Sequence, residues 1–205
     1  MKAPLAASLA LTLTACATPR ADDPQAAFWE ALQSHCGKAY QGALASEDAR
    51  DADWQGRAMI AHWAACSDTG TAIAFHVEQA DGSGWDRSRT WVVTRTADGL
   101  RLKHDHRHAD GAEDAVTQYG GDTATPGTAR GQDFPVDPFS IALFRREGLD
   151  ASLTNVWRVE VDAAGAPDAQ FAYQLTRQND PSRLFRVVFD LTDPVAAPPP
   201  AWGHE

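Results

Sequence analysis

The chain has 205 residues, with 28 acidic against 18 basic side chains and a formal net charge of −10. A surface that tracks phosphates would be basic, so nucleic acid is not an expected partner. The length suits one domain with a real hydrophobic core.

The chain begins "MKAPLAASLALTLTAC", with one cation at Lys2 and an apolar run from Leu5 to Leu13. That run is too short for a permanent membrane span and predicts an export signal over residues 1–16. The small residues ahead of Cys16 resemble the bacterial lipobox, in which the peptide is cut before a cysteine that becomes lipid-modified. The resemblance implies a cell-envelope lipoprotein with Cys16 as its first mature residue. Ala17, rather than aspartate, follows it, which implies the outer membrane and a domain facing the periplasm or the surface. Export implies an oxidising compartment, where Cys36 and Cys66 are expected to pair as a disulfide. In the chain-entropy picture, closing a loop of about 30 residues stabilises by roughly 3–4 kcal/mol.

Residues 17–26, "ATPRADDPQA", read as a tether, 27–193 as one β domain and 194–205 as a proline-rich tail. "PQAAFWEALQSHCG" predicts an amphipathic helix with Pro24 near its start and Gly37 past its end. Beyond Gly37 the apolar period becomes two. Strands are predicted at 39–45, 57–66, 71–79, 88–96, 99–108, 155–162, 169–178 and 183–191, with a weaker ninth near 115–119. A short helix is expected within 137–150. Regular spacing and turns such as "SDTG" and "NDPS" favour an antiparallel meander of calycin or lipocalin-like character, closed as a barrel or folded as a sandwich. The tail's prolines lack amide donors, which bars it from a central strand.

Three registers follow from the pattern. Pairing Tyr40 with His62 and Leu44 with Ala58 brings Cys36 opposite Cys66. In 169–191, pairing Phe171 with Leu191, Tyr173 with Phe189 and Leu175 with Val187 gathers the large apolar side chains on one face. In 88–108, an Asp98-Gly99 turn pairs Val93 with His104, Trp91 with His106 and Arg89 with His108. The inward face of that hairpin then carries Leu100, Leu102, Val93 and Trp91, and continues into His104, His106, His108 and Arg89. Arg101, Lys103, Asp105 and Arg107 look outward.

The stretch "LKHDHRHADGAED" places histidines at every second position. His104 and His108 would have Cα atoms roughly 13 Å apart along a strand, too far to share one ion. His104 with His106 can converge on zinc or a similar transition metal if another strand supplies a third ligand, and His62 is the best donor in view, ahead of His76. Equally, a partly buried histidine is satisfied by a carbonyl or carboxylate, with "HADG" an ordinary turn. Arg89 beside an apolar interior would favour a ligand with a greasy body and an anionic or hydrogen-bonding head; Arg89 paired with Asp86 or Asp110 is the structural alternative. The residues expected to line such an interior are Tyr40, Arg89, Trp91, His106 and His108. A calcium loop is disfavoured, because Arg107 would occupy a ligand position. Nucleophile-elbow, phosphate-loop and zinc-protease signatures are absent, and no catalytic residue is assigned.

The blocks "DRSRTWVV", "LKHDHRH" with "DG" and "ED", "VTQYGGDT", "RLFRVVFDL" and "PPPAWG" together resemble an uncharacterised family of bacterial secreted proteins and lipoproteins. The resemblance spans nearly all of the mature chain and brings no activity with it. The expected function is a non-enzymatic envelope lipoprotein binding a small, largely apolar ligand inside a β-barrel. The alternatives are a metal-binding protein or metal-dependent enzyme, and a structural or partner-binding lipoprotein.

Overall fold

Period-two patterning from Ala39 onward is realised as ten antiparallel strands in one sheet. The computed structural model describes residues 23–205; the expected export signal, Cys16 and most of the expected tether lie outside these residues. The strands are β1 (Ala39–Leu44), β2 (Met59–Cys66), β3 (Gly70–Glu78), β4 (Trp85–Thr96), β5 (Gly99–His106), β6 (Tyr119–Asp122), β7 (Gly131–Pro135), β8 (Asn155–Val161), β9 (Gln170–Arg177) and β10 (Asp180–Asp190). Each pairs with its neighbours in sequence except β6 with β7, and β10 returns to pair with β1. The two remaining edges, β6 and β7, meet through a bridge between Gly121 and Val136. The sheet is therefore a nearly closed up-and-down barrel rather than a sandwich.

Closure at β6 and β7 depends on close backbone approach. The Asp137 N–H donates to the Gly120 carbonyl at 3.0 Å, while the Ser140 hydroxyl accepts from the Gly120 N–H at 2.7 Å and donates to its carbonyl at 3.0 Å. A Cβ on Gly121 would stand 1.9 Å from the Pro135 carbonyl oxygen, which no side chain can tolerate. β7 itself escapes sequence reading: it is five residues long and bounded by Gly131 and Pro135, with only Gln132 and Phe134 pointing inward and buried.

Two helices close the body. α1 (Pro24–Gln33) starts three residues inside the segment read as a tether, because Asp23 caps it by accepting from the Gln25 and Ala26 amides and Pro24 sits at its first position. Its buried Phe28, Trp29 and Leu32 join the core. Gln33 donates to the Ser67 carbonyl of the β2–β3 turn, the Ser34 hydroxyl accepts from the Ala164 N–H of the β8–β9 turn, and Arg95, near the end of β4, lies over the Trp29 ring at 5.8 Å. This end of the barrel is plugged. α2 (Pro138–Arg146), capped by Asp137, lies at the opposite end in the β7–β8 connection, followed by a short 3-10 turn at Asp150–Ser152.

Three expected registers are corrected. In β4–β5 the pairs are Trp91 with His104, Val93 with Leu102 and Arg89 with His106, a shift of two residues. Gly99 opens β5 opposite Thr96, so Ala97 and Asp98 form the turn instead of Asp98 and Gly99. In β9–β10, Phe171 faces Phe189 and Tyr173 faces Val187, again two residues from expectation, with an irregularity between Asp180 and Leu184. A two-residue shift keeps every side chain on its face. In β1–β2, however, Tyr40 pairs with Ala61 and His62 with Ala39, a shift of one. Met59, Ala61 and Trp63 therefore enter the core, and His62 turns to the outer face. Cys36 and Cys66 form the expected disulfide, with Cα atoms 6.1 Å apart.

The tail, residues 194–205, packs along the outside. The Val195 N–H donates to the Ala39 carbonyl at 2.8 Å, at the plugged end. Farther along, the Trp202 N–H donates to the Arg87 carbonyl at 3.1 Å, Arg87 Nη1 donates to the Pro200 carbonyl at 2.5 Å, and His204 Nε2 donates to the Asp105 carboxylate at 2.7 Å. Between these anchors lie the outward residues of β2 and β3. Ile60, Ala74 and His76 are buried there although they face away from the barrel interior.

Candidate ligand-binding cavity

The aromatic residues at inward positions do not fill the barrel evenly. At the plugged end, Tyr40, Trp63, Phe171 and His35 pack edge to face or tilted, with ring centroids 5.0–5.7 Å apart. His35 Nε2–H donates to the Asp162 carbonyl at 2.8 Å, so its Nδ1 accepts from the Tyr40 hydroxyl at 2.9 Å. Burial lowers the pKa of His35 and raises that of Tyr40.

At the other end the side chains leave a cavity of about 270 Å³. Its floor and walls are aromatic, and its rim comes from the connections: Asp51 and Trp54 between β1 and β2, Val116 between β5 and β6, and Phe144 and Leu149 between β7 and β8. Four rings stack in series along one wall. Trp54 lies 5.9 Å from Phe75 at 11°, Phe75 4.5 Å from Trp91 at 15°, and Trp91 4.5 Å from Tyr173 at 18°. His104 stacks on Tyr119 at 4.4 Å and tilts against Trp157 at 5.2 Å.

His104 is buried, and both of its ring nitrogens are used. Nδ1–H donates to the Tyr119 carbonyl at 3.0 Å, which leaves Nε2 to accept from the Tyr173 hydroxyl at 2.7 Å. Burial holds its pKa at about 3. His106 meets the Tyr119 hydroxyl at 3.3 Å through Nε2 and is held at about 4, first by burial and then by the nearby Arg89 charge. Burial pushes Tyr119 up to about 12 and raises Tyr173 well above the ordinary phenol range. All four groups are neutral at pH 7.

Two arginines reach the cavity. Arg89 stands opposite His106, lies over the Trp54 ring at 5.0 Å and donates through Nη1 to Asp86 at 2.5 Å. Arg183 is buried and forks onto Asp51 at 2.5 and 2.9 Å, with a further bond to Asp48 at 2.9 Å. Asn155, buried at the start of β8, accepts from Arg177 through Oδ1 and is part of the cavity lining.

The expected lining is thus partly assembled. Arg89, Trp91 and His106 meet in the cavity together with His104. Tyr40 does not: it belongs to the packed plugged end. Nor does His108. β5 ends at His106, the His108 carbonyl accepts the Gly111 N–H of the "HADG" turn, and the exposed ring lies 3.7 Å from Asp114. The expected metal set also does not come together, because His62 lies on the outer face and His104 has no free nitrogen. Among the described residues, no three His, Cys, Asp or Glu side chains form a group that could hold an ion. Trp54, Tyr119, Trp157, Asn155 and Arg183 were not anticipated. Period-two alternation could have placed Trp157 on the inner face, but the Arg183–Asp51 pair joins positions 132 apart and has no local signal.

No family model, curated protein or solved structure matches the chain.

Proposed function

We propose that this protein is an envelope lipoprotein, held to the outer membrane through lipid on Cys16, that binds a small, largely apolar ligand in the mouth of its barrel. The reading includes membership of the bacterial secreted protein and lipoprotein family that its motifs resemble. The observation that carries it is the uneven filling of the interior: one end is packed solid, while the other leaves about 270 Å³ walled by aromatic rings with a few convergent polar groups. A volume at the small end of the range for ligand sites suits a metabolite-sized molecule rather than a phospholipid. The titration behaviour of the walls favours binding over acid–base catalysis. A general acid or base works best with a pKa near the operating pH, whereas His106 is held at about 4 and Tyr119 at about 12.

The test is direct. Full-length protein purified from the envelope is titrated with naphthalene while tryptophan emission is followed. Trp54, Trp91 and Trp157 line the cavity, so saturable quenching with one site per chain is expected. Filling the cavity with Ser152→Trp should abolish the quenching while near-ultraviolet circular dichroism stays native-like. Absence of saturation in the native protein would count against a ligand site. Separately, intact mass should show diacylglycerol on Cys16, and Cys16→Ala should release the protein into the soluble fraction.

A further inference from the structure

We propose that the ligand of this cavity is a small flat aromatic acid, a conjugated ring system bearing one carboxylate or similar anionic group, with Arg89 as the residue that selects the anion. The proposal rests on the reading of the cavity as a ligand site and goes beyond it by giving the ligand a shape and a charge.

Shape follows from how the wall rings spend their faces. Phe75 is stacked by Trp54 and by Trp91, and Trp91 is stacked by Phe75 and by Tyr173. With two stacked partners each, Phe75 and Trp91 have little free face left, and it is chiefly their edges that remain for a ligand. Ring edges carry the positive end of the aromatic quadrupole, and ring faces the negative end. A wall of edges therefore attracts the face of a second flat π system, or an anion. A saturated chain gains only contact area there.

Charge follows from counting donors and acceptors. Arg89 and Arg183 border the cavity with Asp51 as the one carboxylate, in a chain whose net charge is −10. Arg183 and Asp51 neutralise each other through their fork. Arg89 is different. A guanidinium has five N–H donors, and Arg89 gives one bond, from Nη1 to Asp86. Its Nε and Nη2 donors have no acceptor among the described residues. Asn155 also lines the cavity, and its one side-chain hydrogen bond is accepted at Oδ1, which leaves its NH2 donors without an acceptor among the described residues. Surplus donors in a largely apolar cavity match a carboxylate, which accepts at two oxygens and fits a guanidinium fork. The charge of Arg89 is offset by Asp86, so what the cavity has to spare is donors, and a cation would find no unpaired carboxylate on the lining.

The experiment compares matched ligands on the full-length protein by isothermal titration calorimetry: 2-naphthoate, 2-naphthamide, 2-naphthylmethylammonium and decanoate, with naphthalene as the neutral reference. The acid should bind at least tenfold more tightly than the amide and than decanoate, and the ammonium should not bind measurably. Arg89→Gln should bring the acid to the level of the amide while changing the amide less than twofold. Because that change leaves Asp86 unpaired, the double variant Asp86→Asn with Arg89→Gln provides a second readout with the same expectation, its fold checked by near-ultraviolet circular dichroism. Equal affinity for acid and amide overturns the anionic head, and decanoate matching the acid overturns the flat ring. In both cases naphthalene binding would leave the cavity reading standing. If naphthalene fails along with the whole panel, both readings fall.

Discussion

A single stretch, His104 to Arg107, shows what alternation accomplishes at the scale of residues. His104 and His106 point into the cavity, while Asp105 and Arg107 point outward, Asp105 accepting from His204 of the tail and Arg107 donating to the Gly111 carbonyl of the turn after β5. The bond to the Tyr119 carbonyl fixes the tautomer of His104, and that in turn fixes the direction of the Tyr173 hydroxyl. Such a buried pair is costly to break on one side only. His104→Phe strands the Tyr173 hydroxyl and should cost about 2–3 kcal/mol, and Tyr173→Phe about 1 kcal/mol. The double variant should be less destabilised than the sum, a coupling of roughly 1 kcal/mol measurable by urea unfolding at pH 7. Strict additivity would mean that the bond is not made in solution.

Among the elements, the β6–β7 seam and the tail are the places where the barrel can be loosened. Gly121→Ala drives a methyl group into the Pro135 carbonyl and should destabilise by about 2 kcal/mol or more, with amide exchange rising first in β6 and β7. Asp105→Ala removes the shared acceptor of Arg107, Gln118 and His204 and should cost about 2–3 kcal/mol. His204→Ala, at a half-exposed ring, should cost no more than about 1 kcal/mol. Equal losses from the two changes would show that Asp105 serves the tail alone. How much of this the sequence disclosed depends on parity. The inward faces of β4, β5, β9 and β10 were legible because a slip of two residues preserves them, and with them Arg89, Trp91 and His106. The single-residue slip in β1–β2 inverted His62 relative to the interior, while Tyr40 faces inward as expected but at the packed pole, a position along the barrel that alternation does not report. Turn residues suggest where a hairpin bends, but a glycine that serves the first strand position rather than the turn, as Gly99 does, shifts the pairing. Contacts such as Arg183 with Asp51, or His204 with Asp105, join remote parts of the chain and leave no period to read.

For the molecule as a whole, buried histidines set the response to acid. His104, His106 and His76 are neutral in the folded state, with pKa values of about 3, 4 and 4, all depressed chiefly by burial. His76 differs from the other two: it has no solvent contact, neither ring nitrogen has a partner among the described residues, and the titratable groups near it are His62, Arg87 and Asp86. An unfolded histidine titrates near 6.5, so the unfolded chain gains protons first as pH falls. Stability should be full above about pH 6.5 and decline toward about pH 4, by on the order of 1 kcal/mol per pH unit for each such group. Urea unfolding at pH 7.5 and 5.0 should show this loss, and His76→Phe should make it smaller by about one proton; an unchanged difference would mean that the ring is protonated or hydrated in the fold. The barrel also has two unlike poles. Helix α1 stoppers the pole where the described chain begins, and the cavity opens at the other. A group joined at Asp23, whether an acyl chain, a bead or a fused fluorescent domain, would therefore start from the blind pole, at the far end of the barrel from the doorway, and on the proposed reading cargo would enter from the side away from the attachment.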